Sequence, residues 1–342
     1  MFRLSSAAKA RTLTLFTLVS ALTFSLLVAT PASAAPSLLE VQARVRDLEE
    51  QATTAAEGAQ AAKVELAKLQ KTLATVQQQA SQQGASLNAL SSSIGAIAAQ
   101  QYKSGPLSQS LELLFSTDPS LYLSTAGSLE SVTRKKNADL RKFSVATQRL
   151  NATSLTVNDK LALVKAAQAR FTKQLSIANS KLQEAEALLA KLTVAERQRL
   201  AKLNDDEENA DQAKSLADAS KYNAVSGRGG TAIKYALQQI GDRYVFGAAG
   251  LTTWDCSGLT MRAFRTAGVS LPHSSRAQYG YGKAVDRKNL QPGDLVFFGR
   301  PISHVAIYLG GDRMLHAPRK GSRVKIAAFT LGKKPYVGAR RL

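Results

Sequence analysis

The sequence predicts an α+β domain, with helices packed on an antiparallel sheet, preceded by a long α-helical antiparallel coiled-coil hairpin. Two observations predict this class. Between Ser37 and residue 203, apolar residues recur every four and three positions in two long runs, which is the heptad pattern of coiled coils. From about Thr231 onward, helical periodicity gives way to short apolar segments separated by Gly-containing turns. Helices followed by antiparallel strands define the α+β class.

The hairpin is predicted to occupy residues 37–203, with its tip near 104–128. The first run places apolar residues at core positions from Val41 to Ile97, and the second extends from Leu129 to Leu192. Because the break at Gly105-Pro106 lies midway between runs of similar length, the two helices are expected to pair with each other. The tip is expected to hold one or two short helices. An intermolecular coiled coil is the alternative arrangement.

Residues 1–34 are predicted to be a secretory signal peptide. Three basic residues precede an uncharged apolar run from Leu13 to Ala29 and the small-residue motif Ala32-Ser33-Ala34, and these are the three parts of such a signal. The mature protein is therefore expected to be secreted and extracellular. An uncleaved membrane anchor is the alternative.

Residues 204–230 are predicted to be a linker, and residues 231–342 to be the catalytic domain. The linker holds an acidic cluster, Asp205 to Glu208, and ends in the Gly-rich segment Ser226–Gly230, which is expected to act as a flexible joint. The acidic cluster is expected to meet the basic C-terminal domain. If it restrains the enzyme, a chain beginning near Ser226 should be more active than the full chain.

The net charge of +20 is concentrated at the C-terminal end. From Asn223 onward, the sequence contains 19 Lys and Arg residues and 5 Asp and Glu residues, which gives a net charge of +14. A C-terminal region with this excess of positive charge favours a polyanionic partner. Export argues against nucleic acid and favours a bacterial cell wall, with its anionic polymers and peptidoglycan carboxylates. A charge that only maintains solubility is the alternative.

The segment Trp254–Gly258 contains Cys256, the only cysteine in the chain. An apolar-periodic segment follows to about Thr266, so Cys256 is expected in the first turn of a helix, capped by Asp255 or Ser257. A helix N-terminus stabilises negative charge, and the thiolate is the nucleophilic form of cysteine. A small buried core residue is the alternative interpretation.

All three histidines lie in the same domain. His304 begins one predicted strand and His316 ends the next, so their side chains are expected to be neighbours across a hairpin. This favours Cys256 as nucleophile, His304 as general base and then acid, and His316 as the residue that orients His304. A zinc site is the alternative, but the wide spacing lacks the short ligand pairs usual for zinc. His273 is interpreted as a surface residue without a partner.

Several ordered motifs resemble the NlpC-type (NlpC/p-sixty) cell-wall cysteine peptidases. The motifs are Trp254–Leu259, Leu271-Pro272 with Gln278, Pro292–Phe298, His304–Gly310, His316–Pro318 and the loop Arg243–Gly247. The resemblance covers about Thr231 to Val337. It implies a papain-like α+β fold and cleavage of peptidoglycan stem peptides, typically at the γ-D-glutamyl to meso-diaminopimelate bond, with no cofactor required.

By its matching positions, the resemblance assigns the catalytic roles to Cys256, His304 and His316. It places Tyr244 near the thiol, and Asp255 and Ser257 in the substrate groove. The helical region in turn resembles the coiled-coil hairpins of secreted wall hydrolases from Gram-positive bacteria.

That second resemblance implies that the coiled coil restrains the enzyme and docks a membrane division complex. A non-catalytic cell-wall-binding scaffold that recruits or regulates other hydrolases is the alternative function. Amidase or acyl-transfer chemistry by the same thiol also stays open.

Overall fold

The computed structural model describes residues 36–104 and 119–342. Helix α1 comprises Leu38–Ser104 and helix α2 comprises Pro119–Ala190. The two helices pair in antiparallel fashion, since Lys136 contacts Gln101 (3.0 Å) near one end and Arg170 contacts Glu65 (2.7 Å) further along. The predicted signal peptide and most of the predicted tip lie outside the described residues.

The core of this helix pair confirms the heptad prediction for α1 but only part of it for α2, because Val132, Leu140 and Leu161 of the second predicted run are exposed. The α1 side chains buried at predicted core positions are Val41, Val45, Leu48, Ala52, Ala55, Ala59, Ala62, Leu66 and Leu73. Beyond Leu73, the predicted core positions are half-buried. Among the described residues, no helix is long and apolar enough to cross a membrane.

The start of α2 differs from the prediction for the tip. Residues 119–128 are the first turns of α2 rather than a separate short helix. The reason is the position of Pro119, which is the first residue of the helix. Proline is tolerated there because its missing N–H would have no partner within the helix, and its fixed φ suits a helix start.

Residues 204–230 are not a flexible joint in this structure. Most of them belong to helix α3, Val194–Ala219, and to helix α4, Gly227–Leu237, with a short 3-10 turn between them. Gly229 and Gly230 lie in α4, where the backbone of Gly293 and of Val225 leaves no space for a Cβ atom. These glycines therefore serve close packing rather than flexibility. The division of the chain into domains stays a prediction.

The C-terminal domain has the predicted α+β class, built on a six-stranded antiparallel sheet in the order β3-β8-β4-β5-β6-β7. A short parallel pair, β1 (Arg243–Tyr244) with β2 (Thr253–Trp254), precedes it. The sheet strands are β3 Lys283–Val285, β4 Leu295–Phe298, β5 His304–Gly310, β6 Arg313–His316, β7 Lys325–Ala328 and β8 Tyr336–Arg341.

Two further helices, α5 (Cys256–Thr266) and α6 (Ser275–Gln278), belong to this domain. Helices α4 and α5 pack on one face of the sheet through a core that contains Ile233, Leu259 and Phe297. This packing fixes the N-terminus of α5 against the first residues of β5.

Helix α3 covers β7, which is an edge strand of the sheet. The Glu208 carboxylate accepts hydrogen bonds from the Arg323 backbone N–H (3.1 Å) and the Lys325 ammonium (2.9 Å). Gln212 donates to the Val324 carbonyl (3.2 Å), and Ser215 accepts from the Ile326 N–H (3.0 Å). We call this contact the α3 clamp. It gives partners to backbone groups that an open edge would leave to solvent.

Helix α1 has a second buried face that the heptad pattern does not include. Its members, Thr53, Ala56, Glu57 and Gln60, lie between the core positions and are nevertheless buried. They face the C-terminal domain, where Phe246 packs against Ala56. Helix α1 therefore contacts α2 on one side and the C-terminal domain on the other.

Candidate active site

Cys256 is the first residue of α5, as the sequence predicts. Asp255 is the N-cap, and its carboxylate accepts hydrogen bonds from the N–H groups of Gly258 (2.6 Å) and Gly247 (2.8 Å). An N-cap side chain that satisfies a free backbone N–H stabilises the helix start. Both Cys256 and Asp255 are fully buried. The thiol is thus held at a helix N-terminus by a rigid loop.

His304 and His316 form a hydrogen-bonded pair, with 2.9 Å between Nε2 of His304 and Nδ1 of His316. The register that pairs Ile307 with Leu315 places the two histidines diagonally on one face of the β5–β6 hairpin. The tautomer in which His304 donates through Nε2 leaves its Nδ1 free to accept a proton. The prediction that the two histidines meet is confirmed by this geometry, while their catalytic roles stay predictions.

Both histidines are held neutral in this structure. Burial, the charge of His316 and the charge of Lys334 lower the pKa of His304 well below its ordinary value. Burial, with the charges of Lys325 and Lys334, lowers the pKa of His316 to about 3. In the described part of the chain, no cluster of three or more His, Cys, Asp or Glu side chains could hold a metal ion.

The Cys256 thiol points at a carboxylate from the coiled coil. It donates a hydrogen bond to Oε1 of Glu57, with 3.2 Å between Sγ and the oxygen. Burial and the charges of Glu57 and Asp255 raise the pKa of Cys256 well above its ordinary value, whereas the Val305 N–H on β5 lowers it. The thiol is therefore kept protonated, and a protonated thiol is a poor nucleophile.

Glu57 fills the space in front of the thiol. Its Oε1 also accepts from the Ser257 hydroxyl (2.7 Å), and its Oε2 accepts from the Ser275 N–H (3.0 Å) and hydroxyl (2.7 Å). Four donors thus surround a carboxylate that is only 1% exposed. Burial and the charge of Asp255 raise the pKa of Glu57, and the hydrogen bonds from Ser257 and Ser275 oppose that rise.

Sequence reasoning did not find Glu57 or Ser275 as site residues. A carboxylate between the core positions of a heptad pattern is ordinarily a solvent-exposed residue. The one signal in the sequence is the run of small residues around it, Ala52–Ala59, which contains Gly58. Small side chains allow another part of the molecule to approach a helix closely, but they do not say which part.

The three predicted substrate-groove residues lie at the site but differ in their surroundings. Ser257 contacts Glu57, as described above. Tyr244 is 5% exposed, and no hydrogen bond of ordinary geometry to its hydroxyl is present in the described residues. Burial and the charges of Cys256, Asp255 and Glu57 raise the pKa of Tyr244 well above its ordinary value, whereas Thr53 of α1 lies close enough to its hydroxyl to lower that pKa. The Tyr244 hydroxyl therefore lies near the thiol. Asp255 has the contacts of a helix cap and loop anchor.

His273 is not a surface residue without a partner, and that interpretation is corrected here. Its Nε2 lies 2.9 Å from both carboxylate oxygens of Asp255. Burial alone lowers the pKa of His273, but the hydrogen bond and charge of Asp255, with the charge of Glu57, raise it above its ordinary value overall. The histidine thus supports the carboxylate that caps the Cys256 helix.

Three more carboxylates of α1 reach basic residues at the rim of the site. Glu49 binds Arg319 (2.8 Å), Asp47 binds Lys333 (3.1 Å) and Glu50 lies 3.7 Å from the Lys334 ammonium. Together with Glu57, these residues form the feature we call the carboxylate row. Helix α1 therefore closes the site with negative charge along the rim and over the thiol.

Residues 241–341 match the model of the NlpC/P60 family. This part of the chain is therefore an NlpC/P60 domain, and the family predicted from the motifs is confirmed for it. The peptidoglycan endopeptidase RipA of Mycobacterium tuberculosis is 38% identical over 120 residues, which cover 31% of this chain and 25% of RipA.

Two other relatives have shorter alignments. The probable endopeptidase Rv2190c of Mycobacterium tuberculosis is 40% identical over 109 residues, which cover 32% of this chain and 28% of that protein. The probable endopeptidase p60 of Listeria monocytogenes is 45% identical over 91 residues, which cover 26% of this chain and 19% of p60. The chain thus matches less than a third of the length of these relatives.

A solved structure of an NlpC/P60 family protein from Bacillus cereus is 32% identical. It matches 33% of this chain and 39% of its own, with a TM-score of 0.32.

Proposed function

We propose that the protein is a secreted, cell-wall-associated peptidoglycan hydrolase, a cysteine endopeptidase that cleaves stem peptides at the γ-D-glutamyl to meso-diaminopimelate bond. The observation that carries this proposal is the placement of the only cysteine at the N-terminus of α5, where the Val305 N–H of the strand that begins with His304 interacts with its thiol. That same strand carries His304, which is hydrogen-bonded to His316. Relatives over the same segment are named as endopeptidases, which supports the reaction class.

The chemistry needs only groups of this chain and water. His304 takes the thiol proton, and the Cys256 thiolate attacks the peptide carbonyl. The oxyanion forms at the α5 N-terminus, where backbone N–H groups and the Tyr244 hydroxyl are the candidate donors; one such donor is worth about 3 kcal/mol in studied enzymes. His304 then protonates the leaving amine, and water hydrolyses the thioester. His316 keeps His304 in the productive tautomer.

We propose further that the coiled coil restrains the enzyme. Support comes from Glu57, which occupies the space in front of the thiol and uses the hydroxyls of Ser257 and Ser275. A substrate carbonyl needs to come within about 3–3.5 Å of the nucleophile, and this space is filled. Removal of α1 would open the site and remove one of the charges that raise the pKa of Cys256.

The remaining partners belong to the same proposal. The basic catalytic domain would bind anionic cell-wall polymers as well as peptidoglycan, because its excess positive charge attracts polyanions. The hairpin would dock a membrane division complex, whose binding would move α1 away from the site. Export and wall association rest on the predicted signal peptide.

Product analysis tests this function. The chain carrying Glu57→Ala, with and without Cys256→Ala, is incubated with purified cell wall and with defined muropeptides. We expect stem-peptide fragments only when Cys256 is present, and mass spectrometry of the products should identify the cleaved bond. Release that persists without Cys256 would contradict cysteine catalysis. Wall binding without release by either variant would favour the non-catalytic scaffold, and cleavage of a different bond would favour amidase or transfer chemistry.

A further inference from the structure

Lys334 is a nearly buried lysine at the rim of the candidate active site, in the turn that joins β7 to β8. Its side chain is 12% exposed, and its ammonium lies 3.7 Å from Oε1 of Glu50 on α1. The turn is fixed by its backbone, since the Lys334 N–H donates to the Leu331 carbonyl (2.9 Å) and the Pro335 carbonyl accepts from the Gly299 N–H (2.9 Å). The ammonium is therefore held in place by an ordered loop.

The contact with Glu50 does not satisfy this ammonium. A distance of 3.7 Å is too long for a well-formed hydrogen bond, although the two charges attract each other. An ammonium group has three donors, and burial of a charge is costly unless it is paired and hydrogen-bonded. A fixed, largely buried cation whose carboxylate partner on α1 is distant (3.7 Å) is the arrangement expected of a site that can receive a second carboxylate.

Lys334 lies on the histidine side of the site. Its charge lowers the pKa of both His304 and His316. It also borders a cleft of about 910 Å³ that lies between the catalytic domain and α1, with Ser303 next to His304 among its lining residues. In the proposed reaction His304 protonates the leaving amine, so the part of the substrate that leaves occupies this side.

Helix α1 already places carboxylates at both ends of the site. Glu50 and Glu57 are seven residues apart, which puts them on one face of the helix about 10 Å from each other along its axis. Glu57 accepts hydrogen bonds from the hydroxyls of Ser257 and Ser275 beside the thiol, and Glu50 forms an ion pair with Lys334. When α1 moves away from the site, the two serines lose Glu57 and Lys334 loses Glu50, and carboxylates of a substrate could take their places.

We propose that Lys334 is a specificity-determining residue that binds a free carboxylate on the leaving-group side of the substrate. The ligand class is a residue whose side chain ends in a carboxylate, such as the second carboxyl group of a diamino dicarboxylic acid. A substrate in which that group is a carboxamide carries no charge and would be bound less well. This inference rests on the proposed endopeptidase function.

The test uses the full chain carrying Glu57→Ala, which removes the group in front of the thiol, and two synthetic stem peptides. The peptides differ only in whether the residue after the scissile bond carries a free carboxylate or its carboxamide. We expect kcat/KM to favour the free carboxylate by about tenfold or more, as for a hydrogen bond to a charged group. Adding Lys334→Met should abolish that preference, mainly through KM, and Lys334→Arg should retain part of it.

Glu50→Gln is the matched control, because it removes the same ion pair and leaves the lysine in place. It should keep the full preference, and this separates substrate binding from loosening of α1. A preference that survives Lys334→Met, or one that Glu50→Gln abolishes equally, would overturn the inference.

A second readout separates this inference from the proposed function. Binding of both peptides to the chain carrying Cys256→Ala and Glu57→Ala is measured by calorimetry, with and without Lys334→Met. A carboxylate preference in binding that depends on Lys334 would support the subsite even if neither peptide were cleaved, in which case the endopeptidase function alone would fail. Equal binding of both peptides would contradict the subsite.

Discussion

The C-terminal domain is contacted by two N-terminal helices, and the chemistry of the two contacts differs. Helix α1 contacts it through the carboxylate row, which accepts hydrogen bonds from the thiol and two serines and forms ion pairs with basic residues at the rim. Helix α3 reaches it with the clamp, which bonds mainly to backbone groups of the β7 edge. The first contact occupies groups that a substrate would use, whereas the second completes the sheet. We infer that α1 moves away from the C-terminal domain when the site opens, whereas α3 stays bound to it.

The largest expected effect comes from breaking the α1 contact at Glu57. Glu57→Ala removes the carboxylate that fills the space before the thiol, so stem-peptide release should rise by more than about tenfold. The reason is that several hydrogen bonds to a charged group are lost, each worth about 1.5–3 kcal/mol, and about 1.4 kcal/mol is a factor of ten. The measurement is the initial rate of fragment release from purified wall.

Glu65→Ala is the control for that substitution. Glu65 lies on the same helix but pairs with Arg170 of α2 and is half exposed. Its removal should leave the release rate near that of the wild type. Equal activation by both substitutions would mean that any weakening of the hairpin opens the site and that Glu57 has no special part in it.

The second-largest effect is expected from breaking the α3 clamp, which should lower the stability of the domain rather than raise its activity. Glu208→Ala removes the acceptor of the Arg323 N–H and one of the two carboxylates that bind the Lys325 ammonium, the other being Asp211. The free energy of unfolding should therefore fall by about 1–3 kcal/mol. Activity should not rise. Thermal unfolding followed by circular dichroism measures the loss, and the exposed neighbour Asp205, replaced by Ala, should cause none.

The same comparison revises the expectation for a chain that begins near Ser226. Such a chain loses the α1 restraint but also loses α3, which leaves the β7 edge open. A chain beginning at Lys191 keeps the whole of α3 with its cap at Thr193. We expect the longer chain to unfold at a higher temperature and to release more stem peptide. Higher activity in the shorter chain would show that α3 inhibits rather than completes the domain.

A smaller effect is expected from pH. Burial raises the pKa of Glu57 above its ordinary value of 4.5 when α1 is docked, so Glu57 binds a proton more tightly in the docked state than in the undocked state. Its contribution to docking is therefore complete below the ordinary pKa and is lost as the pH rises through the docked pKa. Cys256 and His273, whose pKa values are also raised, act in the same direction, and the two buried histidines, whose pKa values are lowered, act in the opposite one.

The ratio of wild-type to Glu57→Gln activity isolates the Glu57 contribution, since the other groups are common to both. We expect this ratio to rise as the pH increases from below 4.5, the ordinary pKa of Glu57, to neutrality. A ratio that falls over this interval would contradict the direction of the shift.

The smallest effect is expected at the outer end of the carboxylate row. Asp47 pairs with Lys333, whose side chain is 82% exposed, and exposed ion pairs contribute little because solvent screens them. Asp47→Asn should therefore leave stem-peptide release within about twofold of the wild type. Strong activation by this substitution would mean that the rim charges, rather than Glu57, hold α1 in place.

The sequence predicted the elements of this molecule better than the contacts between them. Heptad spacing located the buried core of α1, and the strands that begin at His304 and end at His316 lie where the sequence predicted them. Such patterns are local, because helix and strand periods reflect which face of an element is buried. The pairing of His304 with His316 was predictable because a short hairpin joins their strands.

What the sequence did not predict depends on contacts between distant segments. Glu57 and Cys256 are 199 residues apart, and no periodicity records that one covers the other. The Gly-rich segment at the start of α4 suggested a flexible joint, because the sequence alone does not distinguish a glycine needed for close packing from one that gives flexibility. His273 appeared to be without a partner for the same reason, since its partner Asp255 lies on a different loop.

The most direct test of the central claim is the reactivity of the only cysteine in the chain. Alkylation of the full chain by iodoacetamide, followed by intact mass, reports on Cys256 alone. We expect slow alkylation of the wild type, acceleration of more than about tenfold in Glu57→Ala, and a rate like that of the wild type in Glu65→Ala. Equal alkylation rates in the wild type and Glu57→Ala would contradict the claim that Glu57 of the coiled coil closes the site over the thiol.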